Sequence, residues 1–386
     1  MRVLITGGHF SPAYSLIKEL KERGVDIIIA GRRYPFEDDR SVSLEYRVSK
    51  EEGLSFYEVK TGRFQRKFTA YTITSLLKTP IGLLASIRIL SRAKPDIVLT
   101  FGGYIGLPVS LAARVLNIPV VLHEQTQKAG LASKIISKFA KRICVSFESS
   151  TVFFPRDKVV ITGNPVRGEI FKPKKKILIP DSPPRLSPRF GEAGGESGRT
   201  IYITGGSTGS HFINSIISEI LSELASDFVI IHQTGDSLKF RDFEMLFNKQ
   251  KTLPQNLQKK YILKKFIYPD EIGDVFENCD LIISRSGANI IFEIMAARKM
   301  SLLIPLPHGQ NEEQISNSIF LKELGVSEFI EENDATAGKV LNLIHKMFRD
   351  QKKYQKNMGN VQRFIIKDAA KRIADVVGEV YGKKKS

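Results

Sequence analysis

The sequence predicts an α/β protein built as two doubly wound parallel-sheet domains. Three observations carry this. Short apolar runs of strand length alternate with amphipathic stretches of helix length, the pattern of βαβ units. The alternation stops over residues 172–199, where Lys172-Pro173-Lys174-Lys175-Lys176 leads into a run rich in Pro, Gly, Ser and charge, and it restarts at Thr200. Each half opens on the same device, a strand running into Thr-Gly-Gly before a helix: Thr6-Gly7-Gly8 in the first and Thr204-Gly205-Gly206 in the second. Two Rossmann-like domains facing one another across a cleft satisfy all three.

The elements follow in order. Arg2 to Thr6 reads as a strand, and Pro12 to Arg23 as a helix with Ala13, Leu16, Ile17 and Leu20 at helical spacing. Strands are expected at Val25 to Ala30, Asp96 to Phe101, Pro119 to His123, Ile143 to Phe147 and Val159 to Thr162, with a helix from about Leu107 to Leu116. Residues 1–171 thus form the first domain, and 172–199 a linker with a flexible insertion and a short strand at Ile177 to Ile179. The second domain, 200–365, takes strands at Ile201 to Thr204, Phe228 to His232, Leu281 to Ser284 and Leu302 to Pro305. Helices are expected at Phe212 to Leu224, Gly287 to Ala297 and Glu312 to Leu324. Residues 366–386 read as a C-terminal helix and basic tail ending in Lys383-Lys384-Lys385.

Composition narrows the function. The chain has 386 residues, more than one core usually supports. Hydrophobic residues make up 42% and charged residues 26%, which excludes global disorder. The two cysteines, Cys144 and Cys279, form no C-x-x-C pair and fit a reducing, cytosolic compartment. Glycines break the N-terminal apolar run too early for a signal peptide, and no apolar stretch is long enough to span a membrane. The net charge of +17 points to nucleic acid or an anionic membrane surface, or to a merely basic solvated exterior.

In doubly wound sheets, ligands bind outside the carboxyl ends of the strands. The motifs lie there. Gly205-Gly206-Ser207-Thr208-Gly209-Ser210 can bring backbone close to an oxyanion, and the helix that follows adds free N–H groups and a positive dipole end. A tight turn without a ligand fits as well. A second strand-to-helix turn, Ser284 to Glu293, places the Glu293 carboxylate where it can accept hydrogen bonds from a ribose; a solvated helix glutamate is the plain alternative. After the next strand, Asn311 to Asn317 offers Gln314 as a reader of sugar hydroxyls, or Asn311 and Gln314 as a capping pair. In the first half, strand ends carry His9, Tyr104, His123 and Glu124, a set suited to acid–base chemistry although a lone histidine is more often structural.

Taken together these residues resemble the MurG glycosyltransferases of the GT-B fold. The likeness is densest at 95–104, at His123-Glu124-Gln125, at Thr162 to Arg167, at Gly205-Gly206-Ser207 and from Ser284 to Asn317. It implies an inverting hexosyltransferase that moves GlcNAc from UDP-GlcNAc to the undecaprenyl-diphosphate muramyl-peptide called lipid I, giving lipid II for peptidoglycan. It also implies roles. Thr6, Gly7 and Gly8 match the N-terminal glycine loop, and His9 the histidine that ends it. Arg167, Ser207, Ile267, Ala288, Asn289, Glu293 and Gln314 fall at donor positions. Tyr104, His123, Glu124 and Thr126 fall on the acceptor side. The chain departs from the family there: the first glycine loop is three residues short, and Thr126 and Ser133 stand where the family has asparagine. Asn289 and Phe292 replace its usual Leu and Ser.

The mechanism this implies has an acceptor hydroxyl attacking the anomeric carbon as UDP leaves, with His9 or else Glu124 taking the proton. Backbone N–H groups of Ser207 to Ser210, and Arg167, would stabilise the departing diphosphate. No Asp-x-Asp occurs, so neither metal nor cofactor is expected. Between residues 62 and 92, basic and apolar residues such as Arg63, Phe64, Lys67, Leu84 and Arg88 interleave without acids. That suits peripheral docking on anionic lipid at the cytoplasmic face of the cell membrane, or a helical hairpin with a basic outer face. Three rivals stand: a GT-B enzyme with another polyprenyl-linked or diacylglycerol acceptor, a UDP-sugar epimerase, and a basic nucleic-acid binder, for which no motif is present.

Overall fold

The computed structural model describes residues 1–7, 10–34, 42–59, 70–173, 198–206, 208–307 and 313–385. The chain divides into two compact units. The first comprises Met1–Glu37, Val42–Arg167 and Phe364–Ser386; the second comprises Gly168–Arg363 with a short piece at 38–41.

The first unit is a seven-stranded, all-parallel sheet. Its strands are β1 (Arg2–Thr6), β2 (Asp26–Gly31), β3 (Ser55–Glu58), β4 (Ile97–Thr100), β5 (Val120–Glu124), β6 (Arg142–Val145) and β7 (Val159–Ile161), in the order β3-β2-β1-β4-β5-β6-β7. Strand residues alternate between the two faces, as the pleat requires. Val3, Ile5, Ile27, Ile29, Ile97 and Leu99 pack toward the helices Phe10–Glu22 and Ala369–Lys385. Leu4, Ile28, Val98, Leu122, Ile143 and Val145 pack on the other face with the helices Ala70–Ala93, Gly103–Val115 and Leu131–Ser137. Both faces are covered, which is why the strands read as unbroken apolar runs.

The second unit repeats the plan with six parallel strands: β8 (Thr200–Thr204), β9 (Val229–Gln233), β10 (Tyr261–Lys264), β11 (Leu281–Ser284), β12 (Met300–Leu303) and β13 (Ser327–Phe329). Their order is β10-β9-β8-β11-β12-β13. In both sheets the order reverses beside the first strand, between β1 and β4 and between β8 and β11. That is the topological switch point at which such sheets take ligands.

Several boundaries differ from the sequence reading. The helix expected from Leu107 begins at Gly103, directly after Gly102, whose φ of +72° turns the chain off β4. The strand expected at Leu302 to Pro305 lies two residues earlier. Gly168–Phe171, expected in the first domain, forms a short helix within the second unit. The expected C-terminal helix runs from Ala369 to Lys385 and belongs to the first unit's core, where Ile373, Val377 and Val380 are buried. The insertion, including Ile177 to Ile179, lies outside the described residues.

Candidate functional site

Strand register assembles one edge of the second unit. Lys264 pairs with Gln233, Gln233 with Thr204, Thr204 with Ser284, and Ser284 with Leu303. Five carboxyl ends therefore stand in one row. The segments that leave them are the Ile267 loop, the Thr234-Gly235 turn, the glycine turn, the Arg285–Gly287 turn and the stretch that follows Leu303.

The glycine turn is held by backbone contact. Gly209 has a φ of +78°, and a Cβ there would lie 1.9 Å from the Thr234 carbonyl oxygen. A Cβ on Gly205 would lie 2.1 Å from the Ser210 nitrogen. The Gly206 N–H donates to Thr204 Oγ1 at 3.0 Å, and the Gly209 N–H to the Gly206 carbonyl at 3.1 Å. Ser210 then caps the helix His211–Glu219, its hydroxyl accepting from the Ile213 N–H. The turn thus delivers its chain directly into a helix N-terminus, the arrangement that receives phosphates. Ser207 itself lies outside the described residues.

Behind the turn runs a directed chain of buried hydrogen bonds. The Tyr261 hydroxyl donates to His232 Nδ1 at 2.8 Å, and His232 Nε2 donates to Asn214 Oδ1 at 3.0 Å. Asn214 Nδ2 donates to the Thr234 carbonyl at 3.0 Å and to Asp242 Oδ2 at 2.8 Å. His211 Nδ1 closes the chain on Asp242 Oδ1 at 2.6 Å. His232 has no exposed surface, and burial pushes its pKa down to about 3, so the imidazole is neutral.

The other donor-side positions fall along the same edge. Ala288, Asn289 and Glu293 lie on the helix Ala288–Ala297 that leaves β11. Ala288 and Glu293 are buried, Asn289 half-buried. The turn before them is pinned from the next helix. Ser286 Oγ donates to the Gln314 carbonyl at 2.8 Å, and Asn317 Nδ2 to the Ser286 carbonyl at 2.9 Å. Gln314 Oε1 accepts from the Leu306 N–H at 3.0 Å, so one end of its amide already braces the loop. Asn311 lies outside the described residues.

Ile267 has a buried side chain, and its backbone N–H donates to Gln233 Oε1 at 3.0 Å. Gln233 was not among the residues the sequence singled out. Its Nε2 donates to the Gly206 carbonyl at 2.9 Å, so one buried amide ties the glycine turn to the Ile267 loop. A glutamine at a strand end has no local signature; only strand register reveals it. Replacing it with leucine strands two backbone groups at a cost of about 1–3 kcal/mol each. Gln233→Leu is therefore expected to weaken UDP binding by at least roughly tenfold in calorimetry while Gln233→Glu, which still accepts from Ile267, loses less.

In the first unit, Thr6 is buried with Oγ1 3.0 Å from Thr100 Oγ1, and the Gly7 N–H donates to the Ala30 carbonyl. Gly8 and His9 lie outside the described residues. Tyr104 is half-buried with the Arg32 guanidinium over its ring, and Arg167 is half-buried.

His123 corrects the sequence reading. It is fully buried, its Nε2 donates to the Gly163 carbonyl at 3.0 Å, and it lies edge-on to Phe101. Burial lowers its pKa to about 4, so it stays neutral. Glu124 is engaged by its own loop. Its Oε1 accepts from the Thr126 N–H and hydroxyl at 3.1 and 2.7 Å, and its Oε2 from the Gly130 N–H at 3.3 Å. Glu124 and Thr126 together shape the loop that leads into the helix Leu131–Ser137. Among the described residues no cluster of His, Cys, Asp and Glu could hold a metal ion.

Two parallel sheets, each with its glycine turn at the carboxyl edge, are the architecture of the GT-B nucleotide-sugar enzymes. A crystal structure of Acinetobacter baumannii MurG superposes with a TM-score of 0.67 at 24% identity, covering 98% of this chain and 99% of that one. A UDP complex of S. aureus MnaA reaches 0.68 at 13% identity, covering 99% and 96%. These two likenesses establish the fold. The chain belongs to glycosyltransferase family 28, whose N-terminal domain matches residues 6–145 and C-terminal domain residues 200–373, and within it to the MurG transferases. A relative from Clostridium novyi is 30% identical over 93% of this chain and 94% of its own length, and one from Clostridium perfringens 31% identical over 92% and 93%. Both are named UDP-N-acetylglucosamine–N-acetylmuramyl-(pentapeptide) pyrophosphoryl-undecaprenol N-acetylglucosamine transferase.

Proposed function

We propose that this protein transfers GlcNAc from UDP-GlcNAc to an undecaprenyl-diphosphate muramyl-peptide, lipid I, producing lipid II and UDP. The observation that supports the reading is the row of five strand ends in the second unit, where the glycine turn shares one edge with the segments that carry Ile267, Ala288, Asn289, Glu293 and Gln314. The diphosphate sits on the turn 205–210 and the N-terminus of the helix after it. Glu293 accepts from the ribose, the Ile267 backbone meets the base, and Asn289 and Gln314 contact the sugar. Arg167 adds positive charge to the departing diphosphate.

His9 is the proposed base. Glu124 is the lesser candidate, because both of its oxygens already hold the loop. The acceptor lies against the first unit near Tyr104 and Thr126. The lipid-linked acceptor requires a peripheral position at the cytoplasmic face of an anionic membrane, with the basic and apolar segment 62–92 as contact and no nucleic-acid partner. Among the described residues no helix is long and apolar enough to cross a membrane.

A UDP-sugar epimerase shares the architecture, and fold alone does not separate it: the TM-score to UDP-GlcNAc 2-epimerase from Neisseria meningitidis is 0.60. Sequence favours the transferase, at 30% identity against 16%. The test is transfer from labelled UDP-GlcNAc to a short-chain lipid I analogue in EDTA, with His9→Ala and Glu293→Ala alongside. Transfer that survives EDTA, falls by about 10²–10⁴ in His9→Ala and loses donor affinity in Glu293→Ala is expected. Tight UDP-GlcNAc binding without transfer would assign a different acceptor.

A further inference from the structure

Two helices of the second unit pack together and meet at their first residues: His211–Glu219, which leaves the glycine turn, and Asp242–Lys251, which follows β9 and its loop. His211 Nδ1 donates to Asp242 Oδ1 at 2.6 Å. The same ring stacks on Phe240, with centroids 4.2 Å apart and planes 11° from parallel. One bond in the ring plane and one stacked face fix the imidazole and its Nδ1–H tautomer.

The pair is lopsided. The Asp242 side chain keeps 5% of its surface and the His211 side chain 45%. A buried carboxylate needs a counter-charge, and among the described residues no lysine or arginine pairs with Asp242. Its other partner is the neutral amide of Asn214. The charged groups on the segments around it are engaged elsewhere or lie at the surface. Lys265 closes on Asp236 at 3.2 Å and on Glu244 at 3.4 Å. Lys239 lies over the Phe240 ring, and Arg241 is exposed. Arg285, over the ring of Phe212, pairs with Glu332. His345, on the helix Ala337–Arg349 that also packs on His211–Glu219, stands 3.6 Å from Asp227.

Helix dipoles explain the aspartate but not the histidine. Asp242 opens its helix, where negative charge is favoured, whereas His211 opens its own, where positive charge is disfavoured. Core packing does not explain a ring with nearly half its surface in water. An anion beside the ring does. The residue before it, Ser210, closes the turn proposed for the diphosphate, and His211 Nε2 has no partner among the described residues.

We propose that His211 is a donor-binding residue. Held by Asp242 and Phe240, its Nε2 takes a proton from water as UDP-GlcNAc binds and donates it in a charge-assisted hydrogen bond to the diphosphate. Asp242 and the diphosphate then flank the imidazolium, so a charge that the helix alone disfavours becomes favourable. The proposal rests on the donor-site reading above. It adds to that site a side-chain cation from the second unit, in place when UDP departs.

The test is calorimetry of the full chain with UDP-GlcNAc at about pH 7.5, where an ordinary imidazole is mostly neutral, in buffers of different ionisation enthalpy. Both phosphates of this ligand are esterified, so it brings no titrating phosphate of its own. The binding heat should depend on the buffer in the sense of net proton uptake. His211→Gln should lose that dependence and bind about tenfold or more weakly. His211→Arg carries the charge with no proton to gain; it should restore most of the affinity while the buffer dependence stays lost. His345→Gln should bind and take up protons like the wild type, and circular dichroism checks that every variant folds. Wild-type binding without proton uptake would overturn the role of His211 and leave the donor site standing, as would full affinity in His211→Gln. Equal weakness of the Gln and Arg variants would show that ring shape matters and charge does not, which also overturns it. A wild type that binds no UDP-GlcNAc would overturn the donor site itself, and the role of His211 with it.

Discussion

Gly209→Ala should abolish UDP binding and reduce sugar transfer at least about a hundredfold, the scale on which an ångström of misplacement acts in an active site. Two separate penalties meet at this residue. The φ of +78° costs an alanine roughly 1–2 kcal/mol. More important, the new Cβ would lie 1.9 Å from the Thr234 carbonyl oxygen, far inside contact distance. Neither partner is free to yield. The Thr234 carbonyl also accepts from Asn214, and Gly235 in turn passes so near the Thr208 carbonyl that its own Cβ would lie 2.4 Å away. Two backbone segments cross with no side chain between them, so the turn must move as a whole, carrying its N–H groups off the phosphate position. Gly24→Ala is the control: its φ is +68°, yet nothing lies within 4 Å of the added Cβ. It should lose about 1–2 kcal/mol of stability and no donor affinity. If Gly209→Ala bound UDP like the wild type in calorimetry, the glycine turn would not be the diphosphate cradle.

The sequence displays what is local and hides what is not. Parallel strands buried on both faces announce themselves as apolar runs, so β1, β4, β5, β8 and β11 were legible nearly to the residue. Three edge strands, β3, β10 and β13, were not. β13 has three residues and β3 four, too few to set a period. The C-terminal helix, with its basic end at Lys383-Lys384-Lys385, was legible as a helix. Its inward residues Ile373, Val377 and Val380 follow helical spacing, but only the fold shows which core they enter. Site residues divide the same way. Glycine turns carry their reason in their composition, whereas Gln233 acts through Gly206 and Ile267, 27 and 34 residues away. His123 illustrates the converse. A histidine at a strand end beside a glutamate looks chemical, and only burial by Phe101 and Gly163 reveals it as a neutral core group.

Those buried histidines make the protein acid-sensitive well above the carboxylate range. His123 in the first unit and His232 in the second titrate near 6.5 once unfolded, against about 4 and about 3 in the fold. Between those values the unfolded chain holds protons that the folded chain refuses, so stability rises with pH up to the unfolded pKa. It is full above about pH 6.5 and is lost as the pH falls below it. At pH 5 each histidine should remove about 2 kcal/mol relative to neutral pH, since one pKa unit is worth about 1.4 kcal/mol. The partners give the physical cause. His123 Nε2–H is spent on a carbonyl while its Nδ1 has no partner, so a second proton would sit unpaired in the core. His232 already accepts from the Tyr261 hydroxyl at Nδ1, and protonation there would set two donors against each other. Urea titrations at pH 7 and pH 5 measure the loss. Because the two histidines lie in separate units, two transitions are expected to shift, one with each. His123→Gln should flatten the pH dependence of one transition and leave the other as steep as before. A dependence unchanged in that variant would mean that the buried imidazole is not what the acid attacks.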